Sequence, residues 1–526
     1  MKTMCVKSSV VFSFAVFASA FALASVDVGR ARQVLWDDYL IDTTRSTATR
    51  VLHSPEYAGI AFDHDESWEG DGSDFHNIVV DEDEKGRLYR MYYLGWMNET
   101  SPFNTNNLPL NIRVCYAESR DGIAWTKPKL GLREFLGSKE NNVIFDYADC
   151  KWDNFQVFKD DNPACPKDEL YKAVARTTGF GGQRERVNPK GPVLSCYLSA
   201  DGIHFRKGWP LVKDYCFDTL NVGFWNANDR LYHLYIRNFH RNGADRNGDF
   251  LVRDIRHLVS ADFRNWSEPK LLNFLPYADG TPKEDCSLYT NVIEPYYRAP
   301  QVMVGFPSRY VERQSWTPNY DRLPEPDRRR ARMDPKRRGE KRYGLVVTDC
   351  VFMMSRNGQD FERDEDAYMR PGPQYAATWR YGDCYPARGL VETASRFGTG
   401  TVLSQYAVAK GGAFGGVAPL ARWEIRLDGF VSRHGEYRGR KLVTKPFLFK
   451  GSELTVNFAT SARGRMFVTL KAEGGDAIRS VELFGDETDR IVDWAEGAKG
   501  LFEYNDRIVT LEFELFDADV YAFKFN

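Results

Sequence analysis

Apolar and polar positions alternate with a period of two along most of the chain, in short runs such as RMYYLGW, LYKAVAR, LYHLYIRN and GLVVTDCVFMM. This pattern predicts β-strands, and long helical periodicities are almost absent. A turn motif punctuates the runs: ESRDGIAW at Glu118, LSADGIHF at Leu198, VSADFRNW at Val259, MSRNGQDF at Met354 and a weaker RLDGF at Arg426. The copies are 80, 61, 95 and 72 residues apart, and most carry a D-G or N-G turn signal leading to an aromatic residue. A second repeat lies upstream of the first: FHNIVV, WDNFQVF, TLNVGFW and YTNVIEPYY, with Asn77, Asn154, Asn221 and Asn291 spaced 77, 67 and 70 residues apart.

Two repeats in constant order, with about four strands per period, predict a five-bladed β-propeller. ARGLVET at Ala387 begins the fifth blade, and the N-terminal strand VLWDDYLID is expected to close the ring against the last blade. After about Gly439 the alternation continues without the turn motif, which predicts a separate C-terminal β-sandwich. The expected division is 25–439 for the propeller and 440–526 for the sandwich. An Arg- and Pro-rich insertion between Arg322 and Arg342 reads as a solvated loop within blade four.

Residues 1–24 have the pattern of a secretory signal: Lys2 and Lys7, an apolar stretch from Val10 to Ala22, and Ala22-Leu23-Ala24 as a cleavage site. The mature chain is therefore expected to be exported, to the periplasm or the outside of the cell, and no later run is long enough to span a bilayer. Of the 526 residues 27% are charged, with 71 Lys+Arg against 73 Asp+Glu, so the net charge is -2. Without the signal the balance is 69 minus 73, or -4. That excludes a global basic field for nucleic acid or anionic lipid, and neither nucleic acid nor membrane is an expected partner. Eight cysteines remain after Cys5, with no C-x-x-C spacing, so no zinc site and no cofactor is expected; an ion on the propeller axis stays open. The even count permits disulfides in an oxidising compartment, while Cys115 and Cys350 suit buried free thiols equally.

In a propeller the innermost strands deliver side chains from every blade to one mouth, so residues far apart in sequence can share a site. Blade one offers Trp68, Glu69, Asp74 and His76; blade two Asp153; blade three Asp218; blade four Glu294 and Arg298; blade five Arg388 and Glu392. The acids Asp74, Asp153, Asp218, Glu294 and Glu392 are candidates for a pair of carboxyls in acid–base catalysis. Trp68, Glu69, His76, Arg237, Arg298 and Trp379 are candidates for substrate binding, and Arg237, Arg253, Arg298 and Arg380 could grip a carboxylate or sulfate. Each has a plainer reading as a turn cap, a wall residue or a structural ion pair. Asp160 and Asp161 in FKDDNP read as turn chemistry.

The stretches LWDDYLID, SWEG, YAESRDGIAWTKPKLG with KENNVIF, FKDDNP, EPYYRAP, FPSRY, and RLDGFVS with TKPFLF resemble a bacterial group similar to glycoside hydrolase family 32, among the family 32 and 43 propellers. The resemblance spans nearly the whole mature chain. It implies a base or nucleophile Asp from blade one, an orienting Asp from blade two and an acid from a later blade. By position these resemble Asp74, Asp153, and then Asp218 or a Glu of blade four or five. The W-M-N-D-P-N-G, R-D-P and E-C elements of the sucrose-cleaving members are absent, and WMNET at Trp96 follows a second strand instead of opening a first. The expectation is an exported glycoside hydrolase acting on an oligosaccharide or polysaccharide. A non-catalytic carbohydrate-binding propeller and a glycoside phosphorylase are the alternatives.

Overall fold

The computed structural model describes residues 26–70, 72–97, 111–146, 154–177, 191–241, 251–313, 315–334, 341–374, 378–408 and 419–526. The signal segment 1–24, Asp153 and Cys150 lie outside these, and of Asp74 only the backbone is described. Five sheets, antiparallel except for the short parallel pairing of Asn273–Phe274 with Asp360 and Phe361 in the fourth, succeed one another along the chain as the blades of a propeller. Their innermost strands are Gly72–Asp83, Gln156–Lys159, Val222–Asn226, Ile293–Tyr296 and Val391–Ala394. The fifth blade is completed by Glu56–Phe62, which pairs with Leu420–Ile425 and closes the ring.

Both sequence repeats have structural work at the blade contacts. In the turn motif the Asx side chain accepts two backbone N–H groups: Asp121 from Ile123 and Ala124, Asp201 from Ile203 and His204, Asp262 from Arg264 and Asn265, Asn357 from Gln359 and Asp360. The next residue takes positive φ, glycine at 122, 202 and 358 and Phe263 in the third copy. Its carbonyl is then free to receive a phenol from a neighbouring blade: Tyr406 to Gly122, Tyr92 to Gly202 at 2.9 Å, and Tyr235 to Gly358 at 2.8 Å.

Around the channel, side-chain amides clasp the neighbouring blade. Asn77 Oδ1 accepts the Val157 N–H at 2.5 Å, and Gln156 Oε1 accepts the Gly223 N–H at 2.7 Å. Asn291 Nδ2 donates to the Leu220 carbonyl at 3.1 Å. Between blades five and one, the Arg388 N–H donates to the His76 carbonyl and the Ile78 N–H to the Arg388 carbonyl. Gly389 makes that approach possible: at φ 116° a Cβ would lie 2.5 Å from the Ile78 carbonyl oxygen.

The N-terminal strand differs from its expected role. Val26–Gly29, Gln33–Val34 and Thr49–Leu52 pair with Phe447–Phe449, Val509–Phe525 and Val431–Gly435, so residues 26–52 belong with the C-terminal strands in one ten-stranded network. Leu35, Leu40 and Ile41 enter its apolar core, while Trp36 turns the other way and packs on Tyr296, Phe352 and Phe430 of the propeller side. LWDDYLID is thus a tether between the two units, and EYAGIAF is the closing strand.

The weak fifth turn copy, RLDGF, also has a different task. Its buried Asp428 accepts hydrogen bonds from Arg32, from Arg298 and Tyr296 of blade four, and from Asn457 of the C-terminal strands. The Arg-rich insertion is not simply a solvated loop. It contains short helices at Pro318–Arg322, Pro326–Arg332 and Lys341–Leu345, two of them opening on proline, and Arg329 is buried against the carbonyls of Pro324, Gly344 and Trp379. All seven described cysteines are free thiols. No described helix is long and apolar enough to cross a membrane, and no metal-holding group of His, Cys, Asp or Glu occurs among the described residues.

Two stability experiments follow from this packing. Replacing buried Asp428 by Asn leaves Arg32 and Arg298 facing a neutral amide and is expected to cost about 3 kcal/mol of unfolding free energy. Asp489→Asn, at the 44% exposed end of the same network, is expected to cost no more than about 1 kcal/mol; equal losses in denaturant titrations would contradict this. In blade three, burial and then the adjacent His233 lower the pKa of His257 from 6.5 to about 3. The unfolded chain therefore takes up a proton at this position as pH falls below 6.5 while the folded chain does not, and the stability tied to neutral His257, full above 6.5, is lost as pH falls. The stability gap between the parent and His257→Asn is expected to shrink by about 1.4 kcal/mol between pH 7.5 and 5.5. A constant gap would contradict this, because it would mean that the folded chain takes up the proton at His257 over the same pH range as the unfolded one.

Candidate functional site

The clasps give a common level along the channel at which the candidate residues can be placed. Asn77, Gln156 and Val222 hold equivalent places in blades one to three, since the accepting side chain of one faces the residue just past the next. Arg388 bridges Asn77 directly, and the Asn291 bond to Leu220 sets Val292 beside Val222. Before this level the inner strands lead to the mouth; past it they descend toward the C-terminal strands.

Asp74 stands three residues before Asn77, and Asp218 four before Val222. Tyr289 stands three before Val292, and its carbonyl accepts the Thr219 hydroxyl at 2.9 Å, beside Asp218. Asp74 and Asp218 therefore belong to the same end of the channel, although they come from blades one and three. Asp153 is three residues before Gln156 in sequence and lies outside the described residues.

The side chains described at this mouth form a wall of arginine and tyrosine. Asp218 is 40% exposed, with Oδ2 3.5 Å from the guanidinium of Arg237, which is only 1% exposed. Arg237 also donates to Cys216 Sγ at 2.6 Å and lies 3.9 Å over the Phe239 ring. The Tyr381 hydroxyl donates to that of Tyr289 at 2.8 Å. Burial, and then the charge of Asp218, raises the pKa of both phenols, which keeps them protonated as hydrogen-bond donors. Tyr310 and Tyr385 complete the aromatic cluster, their rings 5.7 and 5.5 Å from Tyr289. Tyr381 and Tyr385 come from the 378–390 connection between blades four and five. In that connection the Asp383 carboxyl accepts the Arg380 N–H at 2.7 Å, and burial pushes its pKa up to about 6.

Other sequence candidates lie elsewhere. Glu294 takes part in the ring of clasps, where its Oε1 accepts the Gly389 N–H at 3.2 Å and its Oε2 is 3.8 Å from Arg388. It does in blade four what Asn77 does in blade one. Burial raises its pKa, and Arg388 opposes the rise. Glu392 is four residues past Arg388, roughly 13 Å farther along the channel. It accepts the Tyr297 hydroxyl at 2.6 Å and shares its register with Asp81 and Asp160, which receive Tyr171 and Tyr232 from the following blades. Asp160 also caps the Asn162 N–H, the turn role its motif suggests. Arg298, just past the end of its inner strand, is ion-paired with Asp428 and Asp489 at the C-terminal unit.

The blade-one candidates make an interior knot. Glu69 is fully buried and accepts Lys127 Nζ at 2.8 Å, the Glu66 N–H and the Tyr93 hydroxyl. Burial raises its pKa and Lys127 opposes the rise. Buried His76 stacks on Tyr93 and meets His64 at 2.9 Å between Nε2 atoms; desolvation and then His64 hold its pKa well below 6.5. Half-buried Trp68 donates from Nε1 to Asn142 at 2.7 Å. Trp379 donates to the Gly372 carbonyl at 2.8 Å and lines a groove of the insertion. Sequence reasoning passed over Tyr289, Tyr310, Tyr381 and Tyr385; the close spacing of aromatics in WRYGDCYPARG was the available signal for two of them.

Strand pairing and site together define a five-bladed propeller with acidic residues of two blades at one mouth and a C-terminal unit on the other face. No protein-family profile matches the chain, and no curated protein matches it. Several solved structures are similar to it. One is an N-acetylgalactosamine deacetylase from F. plautii in complex with blood group B trisaccharide, 11% identical, covering 71% of this chain and 95% of that one at a TM-score of 0.42. Another is a Bombyx mori family 32 β-fructofuranosidase, 9% identical, covering 89% and 94% at 0.38. A third comes from the family 130 mannoside phosphorylases, described as containing glycoside hydrolases that target β-1,2 mannosidic linkages in Candida mannan, 14% identical, covering 73% and 95% at 0.36. These are distant likenesses, and the fold rests on its own strand pairing.

Proposed function

We propose that the chain is a glycan-active enzyme, a glycoside hydrolase whose reaction is carried by carboxyls at the mouth of the propeller. The observation that carries this reading is the shared register of Asp74 and Asp218 on the mouth side of the clasp ring, from non-adjacent blades. Glycoside hydrolysis takes one carboxyl to protonate the leaving oxygen and a second to activate water or attack the anomeric carbon. Asp74 and Asp218 are the proposed pair, with Asp153 of blade two as the orienting third acid. Tyr289 and Tyr381 supply protonated phenols suited to sugar hydroxyls. Glu294 and Glu392 are assigned to holding the blades together.

The test is reducing-sugar release by the full chain from a panel of oligosaccharides, with and without inorganic phosphate. The expected result is turnover without phosphate, lowered about 100-fold or more by Asp74→Asn and by Asp218→Asn, and less than tenfold by Glu392→Gln. Glycan binding with no turnover on any substrate would identify a binding propeller. Strict dependence on phosphate would identify a phosphorylase, and an unimpaired Asp218→Asn would remove the proposed pair.

A further inference from the structure

Among the described residues, the buried arginines of the mouth outnumber their carboxylate partners. There Arg237 is paired with Asp218 alone, at 3.5 Å, longer than a charge-assisted hydrogen bond. Arg253, 8% exposed, is in no ion pair among the described residues, and its buried Nε has no hydrogen-bond partner. Its guanidinium lies 3.7 Å over the Tyr310 ring and 5.7 Å from the Tyr289 centroid, while Arg237 is 5.9 Å from that same Tyr289 ring. Both also flank Phe239, at 3.9 Å for Arg237 and 5.6 Å for Arg253.

Two buried guanidiniums thus share the rings of Phe239 and Tyr289, and among the described residues only Arg237 has a carboxylate partner, the half-exposed Asp218. Cation–π contact recovers part of the desolvation cost, but the donor edge of Arg253 stays unmatched. The mismatch is relieved by an anion with two or three oxygens in the plane of the fork, and arginine's geometry fits such a group better than lysine's.

We infer that Arg253, with Arg237, forms an anion subsite for a carboxylate or sulfate on the glycan, so that the substrate is an acidic polysaccharide or oligosaccharide. The inference rests on the mouth being the glycan site. Calorimetry of the full chain tests it with tetrasaccharides of galacturonate, of mannuronate and of sulfated galactan, each against its carboxyl-reduced or desulfated form. The charged member of at least one pair is expected to bind tenfold or more tightly than its neutral form. Arg253→Gln is expected to reduce that preference to less than threefold, and Arg253→Lys, which keeps the charge without the fork, to leave an intermediate one. The uronate and sulfate arms identify the group that is held. Equal binding within every pair, absence of binding by all of them, or a preference that survives Arg253→Gln would overturn the subsite. Binding preference is read without turnover, so a preference in a chain that hydrolyses nothing would sink the hydrolase and leave the subsite. Hydrolysis of neutral glycans with no preference would do the reverse.

Discussion

The structure depends on side chains that accept a backbone N–H from the neighbouring blade. Five sheets can be packed around an axis in many relative heights, and apolar contact alone, being non-directional, does not choose among them. The bonds from Val157 to Asn77, from Gly223 to Gln156 and from Gly389 to Glu294 do choose, because each ties one residue of an inner strand to one residue of the next. They are buried, so a slipped blade would leave unsatisfied polar groups, which costs more than the net worth of the bonds themselves. Asp74 and Asp218 share a face of the ring because these bonds set the heights of their strands.

Much of this was legible in the sequence, for physical reasons that can be named. The turn motif is visible because capping a tight turn and freeing a carbonyl for a neighbour's tyrosine takes an Asx and, in most copies, a glycine at fixed spacing. The asparagine repeat is visible because an amide is the side chain that both accepts and donates toward backbone. Depth along the channel was harder to read. Glu294 and Arg298 follow Asn291 instead of preceding it, so the descending strand carries one into the wall and the other to the far face. Blade five has no asparagine in the series, and without that mark Glu392 could not be seen to lie four residues below the ring, level with Asp81 and Asp160.

Two other differences share a cause, the pull of tertiary packing on ambiguous segments. LWDDYLID alternates like a strand, yet Trp36 and Ile41 are drawn into different cores, which makes it a tether. EYAGIAF, interrupted by Gly59, has the weaker pattern and still completes the fifth blade. In the insertion, charge suggests solvation, but Arg329 finds three carbonyls and is buried by them. The two faces of the ring are consequently unequal. Arg298, Asp428, Asp489 and Arg32 close the lower face against the C-terminal strands, while the upper face carries half-exposed Asp218 with buried Arg237 and the buried tyrosine cluster behind it.

Chemistry is assigned to that upper face, and everything said of function follows from the assignment. The most direct test is a crystal structure of the Asp218→Asn chain with an oligosaccharide bound. The expected result is a sugar ring within hydrogen-bond reach of residues 74 and 218, against the Tyr289 and Tyr381 hydroxyls. A saccharide held instead beside Glu392 and Tyr297, or on the outer edge of a blade, would contradict it.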